Sequence, residues 1–204
     1  MYPSQLFTLE DQATLLAHLA AHPFVTITAA LDGRLLVANA PVVARCLPSG
    51  VCLDFHLARG NAMVSALAAG VRAVAVSLGP DVYISPDWYE SADQVPTWNY
   101  VSVEAEGPVM ALGDDDLIAL LDDLSDQEEA RLAPKPNWTR AKMTPGRFEA
   151  MTRAIIGARL TVERLEGTAK LSQKKPDSDR AGVIAALGDH PIAALMRAAI
   201  SPRG

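Results

Sequence analysis

The residues best suited to chemistry lie in two short stretches, HLARGN at 56–61 and KLSQKK at 170–175. Arg59 offers a planar fork that matches phosphate or carboxylate. A strand ends at His56 and a helix is expected from about Asn61, so N–H groups at the helix start would point to the same place. A surface turn with an incidental arginine explains these residues equally well on spacing alone. Lys170, Lys174 and Lys175 make a second anion-ready patch, although composition by itself assigns three lysines in six residues to a solvated loop.

Other chemistries find less support. There is no P-loop and no G-x-G-x-x-G. Ser85 and Ser172 lack a nearby His and a nucleophile elbow. His18, His22, His56 and His190 show no metal spacing, and neither do Cys46 and Cys52, which are too few for a disulfide scaffold and fit a reduced, cytosolic setting. Asp114–Asp116 and Glu128-Glu129 read as helix-end electrostatics. The expectation is no metal.

Residues 79–100, GPDVYISPDWYESADQVPTWNY, hold three of the four Tyr and two of the three Trp. Rings with one polar handle each, braced by Pro80, Pro86 and Pro96, can form a rigid wall facing a planar ligand or a partner subunit. The chain has 204 residues, half of them apolar, enough to bury a sizeable core. Its net charge of -6 opposes non-specific attraction to phosphate backbones and anionic lipid. The first twelve residues lack a signal-peptide pattern and no segment reaches membrane-span length, so a soluble cytoplasmic protein without membrane contact is expected.

The elements that must position these residues follow in order. Thr8 is a candidate N-cap for a helix over 8–21, ended by His22-Pro23. Phe24 to Ala30 and Leu35 to Val37 flank Asp32-Gly33 as a hairpin. Val42 to Ala44 and Val51 to Phe55 read as further strands. A helix closed by Gly70 follows, then a strand from Val71 to Leu78, with Gly79-Pro80 turning the chain into the aromatic stretch. Val101 to Leu112 is a strand bent or bulged at Gly107-Pro108. A helix spans 114–131, another starts at Thr144-Pro145 with Phe148, Met151, Ile155 and Ile156 buried, and Ala158 to Leu165 is the last strand. A helix begins near Ser178, and His190 to Ile200 forms a small one. Hairpins without alternating crossover helices favour a mainly antiparallel α+β barrel with peripheral helices.

At YISPDWY, VPTWNY and KLSQKKPDSDRAGVIAAL the chain resembles the PaiB family of FMN-binding negative transcriptional regulators, from about Met1 to Leu187. The family is similar to the flavin-binding split barrels of the pyridoxamine-phosphate oxidase kind. The resemblance implies a Greek-key split β-barrel over residues 1–187, a short helical tail over 188–204, a homodimer, and FMN at the subunit interface. It implies Arg59 and Asn61, with His56 behind them, at the FMN phosphate and ribityl chain. Thr97, Trp98, Asn99 and Tyr100 would stand near the isoalloxazine or the dimer seam, and Lys170 and Gln173 would reach a flavin. The chain departs from the family pattern where Asn39 replaces the His of His-x-Pro, and where Ala169 and Lys174 flank KLSQ instead of an aromatic and Asn. Glu128 stands where Asp-x-His-Glu has its His. Those departures bear on redox or metal chemistry and on flavin retention more than on the fold.

Three functions follow. One is a flavin-dependent oxidoreductase acting on a small molecule. The second is a transcriptional regulator whose flavin acts as a sensor, with DNA as a possible partner through Lys135, Arg140, Lys142 and Arg147. The third is a barrel that has lost its cofactor and serves as an interaction module.

Overall fold

Alternating apolar and polar runs such as β2 and the start of β3 contribute to eight strands among the described residues, all of whose described pairings are antiparallel. In the computed structural model, which describes residues 5–199, the elements are β1 (Thr8–Leu9), α1 (Gln12–Ala21), β2 (Phe24–Leu31), β3 (Arg34–Leu47), β4 (Gly50–Ala58), α2 (Val64–Ala69), β5 (Arg72–Ile84), β6 (Thr97–Ala111), α3 (Asp114–Ala130), α4 (Arg147–Thr152), β7 (Ile155–Thr161), β8 (Arg164–Lys170), α5 (Asp177–Leu187) and α6 (Pro191–Ala198). The strand order is β1-β8-β6-β5-β2-β3-β4-β7, and β6 also pairs with β7. β5 returns beside β2 after the β2-β3-β4 meander, which is a Greek-key connection. No helix among the described residues is long and apolar enough to cross a membrane.

Two compact units are present. Of the described residues, one unit takes 16–77 and 104–165, and the other takes 5–15, 78–103 and 166–199. The first is a barrel. Its ring closes where Val109, Met110 and Ala111 pair with Leu160, Arg159 and Ala158, while Val109 N–H donates to Val71 O at 2.9 Å. Val25, Ile27, Leu53, Phe55, Val109 and Leu160 are almost wholly buried in this unit. Leu120 and Leu124 of α3 pack on Val43 and Leu112. In the second unit Ile84, Tyr89, Val101, Leu171, Val183, Ile192 and Met196 share one core. A Cβ at Gly182 would meet Trp88 O at 2.3 Å, so α5 seats against the backbone of the 3-10 turn Pro86–Trp88 only because glycine stands there.

The hairpin at Asp32-Gly33 forms as its residues dictate, both with positive φ, of 50° and 75°. Gly70 closes α2 in the left-handed region with φ 61°. Other boundaries differ from the sequence expectation. Thr8 is not an N-cap: it lies in β1 opposite Thr168, and Asp11 Oδ2 caps α1 by accepting Thr14 N–H at 2.8 Å. β3 runs unbroken over what read as two strands. β5 continues through Gly79-Pro80 to Ile84 instead of turning, because β2 pairs only with Ala73 to Val76, and proline's missing N–H costs no bond to β2 beyond that point. The single strand expected from Ala158 to Leu165 is two. Val162 N–H donates to Val51 O and Glu163 N–H to Glu106 O, both at 2.9 Å, which breaks the run between β7 and β8. Met151 is 54% exposed, and Ile155 and Ile156 belong to β7. The last helix covers Pro191–Ala198; Ile200 lies outside the described residues.

Gly107 explains the expected bulge differently. It stays in β6, but a Cβ there would stand 1.8 Å from Thr161 O and 2.9 Å from Thr161 C. The backbone at the end of β7 therefore crosses directly over it. Gly107→Ala is expected to lower stability by about 3 kcal/mol or more, the upper range for overpacking, because a backbone cannot step aside as a side chain does. Gly60→Ala, with nothing within 4 Å of the added carbon, should stay near wild type in the same denaturant melts.

Candidate functional site

In the barrel unit β4 ends by delivering the HLARGN stretch. Arg59 is exposed, and its Nε donates to Arg153 O at 2.8 Å, which leaves its terminal guanidinium nitrogens for solvent or a ligand. Asn61 Oδ1 accepts Met63 N–H at 2.9 Å, and the N–H groups of Val64, Ser65 and Ala66 are bonded within the same turn. The free N–H groups expected at this helix start are thus already used. α2 has six residues and serves to bury Met63, Ala66 and Leu67.

His56 lies behind this turn and lines a cleft of about 520 Å³. Leu121, Leu124, Trp138, Phe148, Met151 and Ile155 supply apolar lining, and Asp122, Glu128 and Arg140 supply charge. His56 Nδ1 is buried without a hydrogen bond, and so is Glu128 Oε1. The Glu128 oxygen has Arg131 Nε at 3.6 Å as an ion pair too long for a hydrogen bond. Glu128, where the family pattern has His, therefore faces the same cleft as His56. The neighbouring Glu129 has a different role: its carboxylate accepts Trp138 N–H at 2.8 Å and pairs with Lys135, so it pins the loop that carries Trp138. Those hydrogen bonds, from Lys135 first, hold the Glu129 carboxyl below the usual glutamate value.

Below α3, Asp54 is 1% exposed and accepts from Arg45 Nε at 2.7 Å and from Arg159 Nε and Nη2, each at 2.7 Å. A buried carboxylate costs several kcal/mol unless paired, and two guanidinium groups supply that pairing. Asp54 in turn raises the Arg159 pKa. Arg45 also reaches Asp123 at 2.6 Å, which ties α3, one wall of the cleft, to the sheet. Sequence reading passed over Asp54 as a strand residue; an acid amid the apolar run VCLDFHL was the available signal. It named Arg140 only within a basic patch toward DNA and left Trp138 unassigned, and nothing local to them signals a cleft.

The second unit holds the other named residues. Lys170 Nζ donates to Thr97 Oγ1 at 2.5 Å, so KLSQ and VPTWNY meet across 73 residues of chain. Burial pushes the Lys170 pKa below the usual lysine value. Asn99 is wholly buried; its Nδ2 donates to Ser172 Oγ at 3.0 Å and contacts Met196 Sδ at 3.5 Å. Gln173 folds back, with Oε1 accepting Leu171 N–H at 2.7 Å and Nε2 donating to Ala169 O at 2.5 Å. Asn99 and Gln173 thus shape the joint, whereas Trp98 faces outward, 53% exposed, edge-on to Tyr83 at 6.2 Å. Tyr100 is half-buried. The aromatic wall divides: Tyr83 and Trp98 are exposed, while Tyr89 enters the core with Lys175 Nζ 4.6 Å above its ring. Asp179 Oδ1 accepts Glu90 and Ser91 N–H, both at 2.9 Å, and anchors the loop after Tyr89 to α5. Ala169, where the family has an aromatic, is 7% exposed in that core; Lys174 lies 5.4 Å over Phe7. In the barrel unit, Asn39 accepts Thr26 Oγ1–H at 2.9 Å.

Burial alone lowers the His56 pKa from 6.5, and burial is the first cause of the same shift at His18. Between the lowered value and 6.5 the unfolded chain binds more protons than the folded one, so stability falls as pH drops through that window. His56→Gln should flatten part of the decline in melting temperature between about pH 7 and about pH 5, above the range where carboxylates titrate, with His18 supplying the remainder. A decline as steep as in wild type would place His56 in a solvated site.

With this geometry in hand, four likenesses bear on identity. The model of the family described as "Putative FMN-binding domain" matches residues 1–164. The protease synthase and sporulation protein PAI 2 of Bacillus subtilis is 26% identical over 184 residues, covering 90% of this chain and 87% of the relative. Among solved structures, the FAD and heme binding protein of Mycobacterium smegmatis superposes with a TM-score of 0.60 at 20% identity, over 85% of this chain and 78% of that one. The flavocytochrome Anf3 of Azotobacter vinelandii does so with 0.60 at 18% identity, over 89% and 78%. The chain has the split-barrel fold of these flavin-binding proteins and belongs to the FMN-binding domain family, whose cofactor is FMN.

Proposed function

We propose that this chain is a homodimeric, cytoplasmic flavoprotein of the PaiB type whose FMN serves a redox or sensing role linked to negative transcriptional regulation. The observation that carries the flavin reading is the Lys170 to Thr97 contact beside the exposed Trp98 and Tyr83. A half-buried cation held by a hydroxyl next to a flat ring suits the electron-rich edge of an isoalloxazine. The guanidinium of Arg59, with Asn61 and His56 behind it, suits the phosphate and ribityl chain. In the second unit, Thr97 to Tyr100, Lys170 and Gln173 are the proposed flavin contacts; the proposed bounds are 1–187 for the FMN-binding domain and 188–204 for the tail. Bound FMN would supply the hydride or one-electron chemistry; Lys170 would orient the ring and tune its charge.

The homodimer rests on a separate feature of the barrel unit. The outer face of β2 and β3 presents Phe24, Leu35 and Val37, which are 69%, 83% and 59% exposed, together with Thr26, Thr28 and Asn39 and no charged group among them. A neutral apolar sheet face of this kind suits a self-complementary interface. The net charge of -6 favours a second reading, a flavin-dependent oxidoreductase on a small molecule without a DNA role.

Two measurements test these readings. Titration of purified protein into FMN should quench flavin fluorescence, and Lys170→Met and Arg59→Ala should each weaken affinity about tenfold or more, as loss of a charge-assisted hydrogen bond does. Unchanged affinity in a variant removes that residue from the site. Light scattering should show dimers that Leu35→Glu with Val37→Glu converts to monomers; wild-type monomers at micromolar concentration would refute the interface.

A further inference from the structure

The cleft of the barrel unit shares only His56 with the proposed flavin contacts, yet it has the make-up of a second binding site. We propose that it binds an arylalkylamine, a flat ring carrying an alkylammonium group, with the ring between Trp138 and Phe148 and the ammonium at Glu128. The volume of about 520 Å³ suits a small organic ligand. Trp138 and Phe148 offer ring faces, and Met143 and Met151 add polarizable sulfur that packs well on aromatics.

The charge of the lining selects the sign of the ligand. Asp122, Glu128 and Arg140 are its charged members. Arg140 is already engaged, 3.2 Å from Asp122 and 5.1 Å over the Phe148 ring. An anion entering the cleft would meet no uncommitted cation of the lining. Glu128 Oε1, buried and lacking a hydrogen-bond donor, receives one from an ammonium. His56 Nδ1, also buried and without a partner, adds a polar group from β4, uncharged at neutral pH because burial lowers its pKa.

The test is calorimetric titration of the whole chain with tryptamine, indole and indole-3-acetate, which share one ring and differ in charge. Tryptamine is expected to bind at least about tenfold tighter than indole-3-acetate, and Glu128→Gln to weaken tryptamine about tenfold or more while leaving indole and FMN affinities unchanged. Met143→Trp, which adds bulk to the lining of the cleft, should abolish tryptamine binding, with an unshifted thermal melt showing that each variant folds. Equal affinity for the acid and the amine, tryptamine binding indifferent to Glu128→Gln, or no binding by any of the three would overturn the inference. Tryptamine binding in a protein that fails to take FMN would support it and remove the flavin reading alone.

Discussion

The second unit depends on a seam between two strands far apart in sequence, where Lys170 meets Thr97 and Ser172 meets Asn99. An amide buried as fully as that of Asn99 costs about 1–3 kcal/mol if left without partners. Ser172 adopts a φ of 62°, a strained choice for a residue with a side chain, and its hydroxyl reaches Asn99 from there. Gln173 then spends both ends of its amide on the same turn. The result is a rigid mount on which Lys170 and Trp98 are presented in fixed positions, as a binding surface requires.

The barrel unit solves a different problem. Beneath α3, on the face of β4 opposite Leu53 and Phe55, it buries one carboxylate, Asp54, which is satisfied by arginines from the two flanking strands, β3 and β7. Paired with well-placed partners, such a group does little for net stability, but its geometry is demanding. Only one register brings Arg45, Asp54 and Arg159 together. Through Asp123 the same arrangement fixes α3. α3, whose acidic residues read as helix-end electrostatics, is therefore one wall of a cleft, with Leu120 and Leu124 inward and Glu128 at the cleft.

Much of this was legible in the residues. Asp32-Gly33 and Gly70 required positive φ and announced a hairpin and a helix end. The order of hairpins and helices implied an antiparallel barrel, and three motifs carried the family. What failed to show was long-range. Pro80 read as a turn because a local rule cannot see which neighbour a strand has already left. The break between β7 and β8 depends on Val51 and Glu106 carbonyls, one more than a hundred residues upstream. Of the site residues, VPTWNY and KLSQ were named by resemblance and the structure joins them, whereas the Asn99 and Gln173 side chains turn inward. The cleft was invisible because Trp138 and Arg140 lie in a loop held by carboxylates of α3, Glu129 and Asp122.

On the proposed flavin reading, Thr97 and Lys170 act on FMN as one unit. A double-mutant cycle on FMN affinity with Thr97→Val and Lys170→Met measures this directly. A coupling of about 1 kcal/mol or more is expected, since each residue positions the other. Losses that simply add, or FMN affinity untouched by either change, would contradict it.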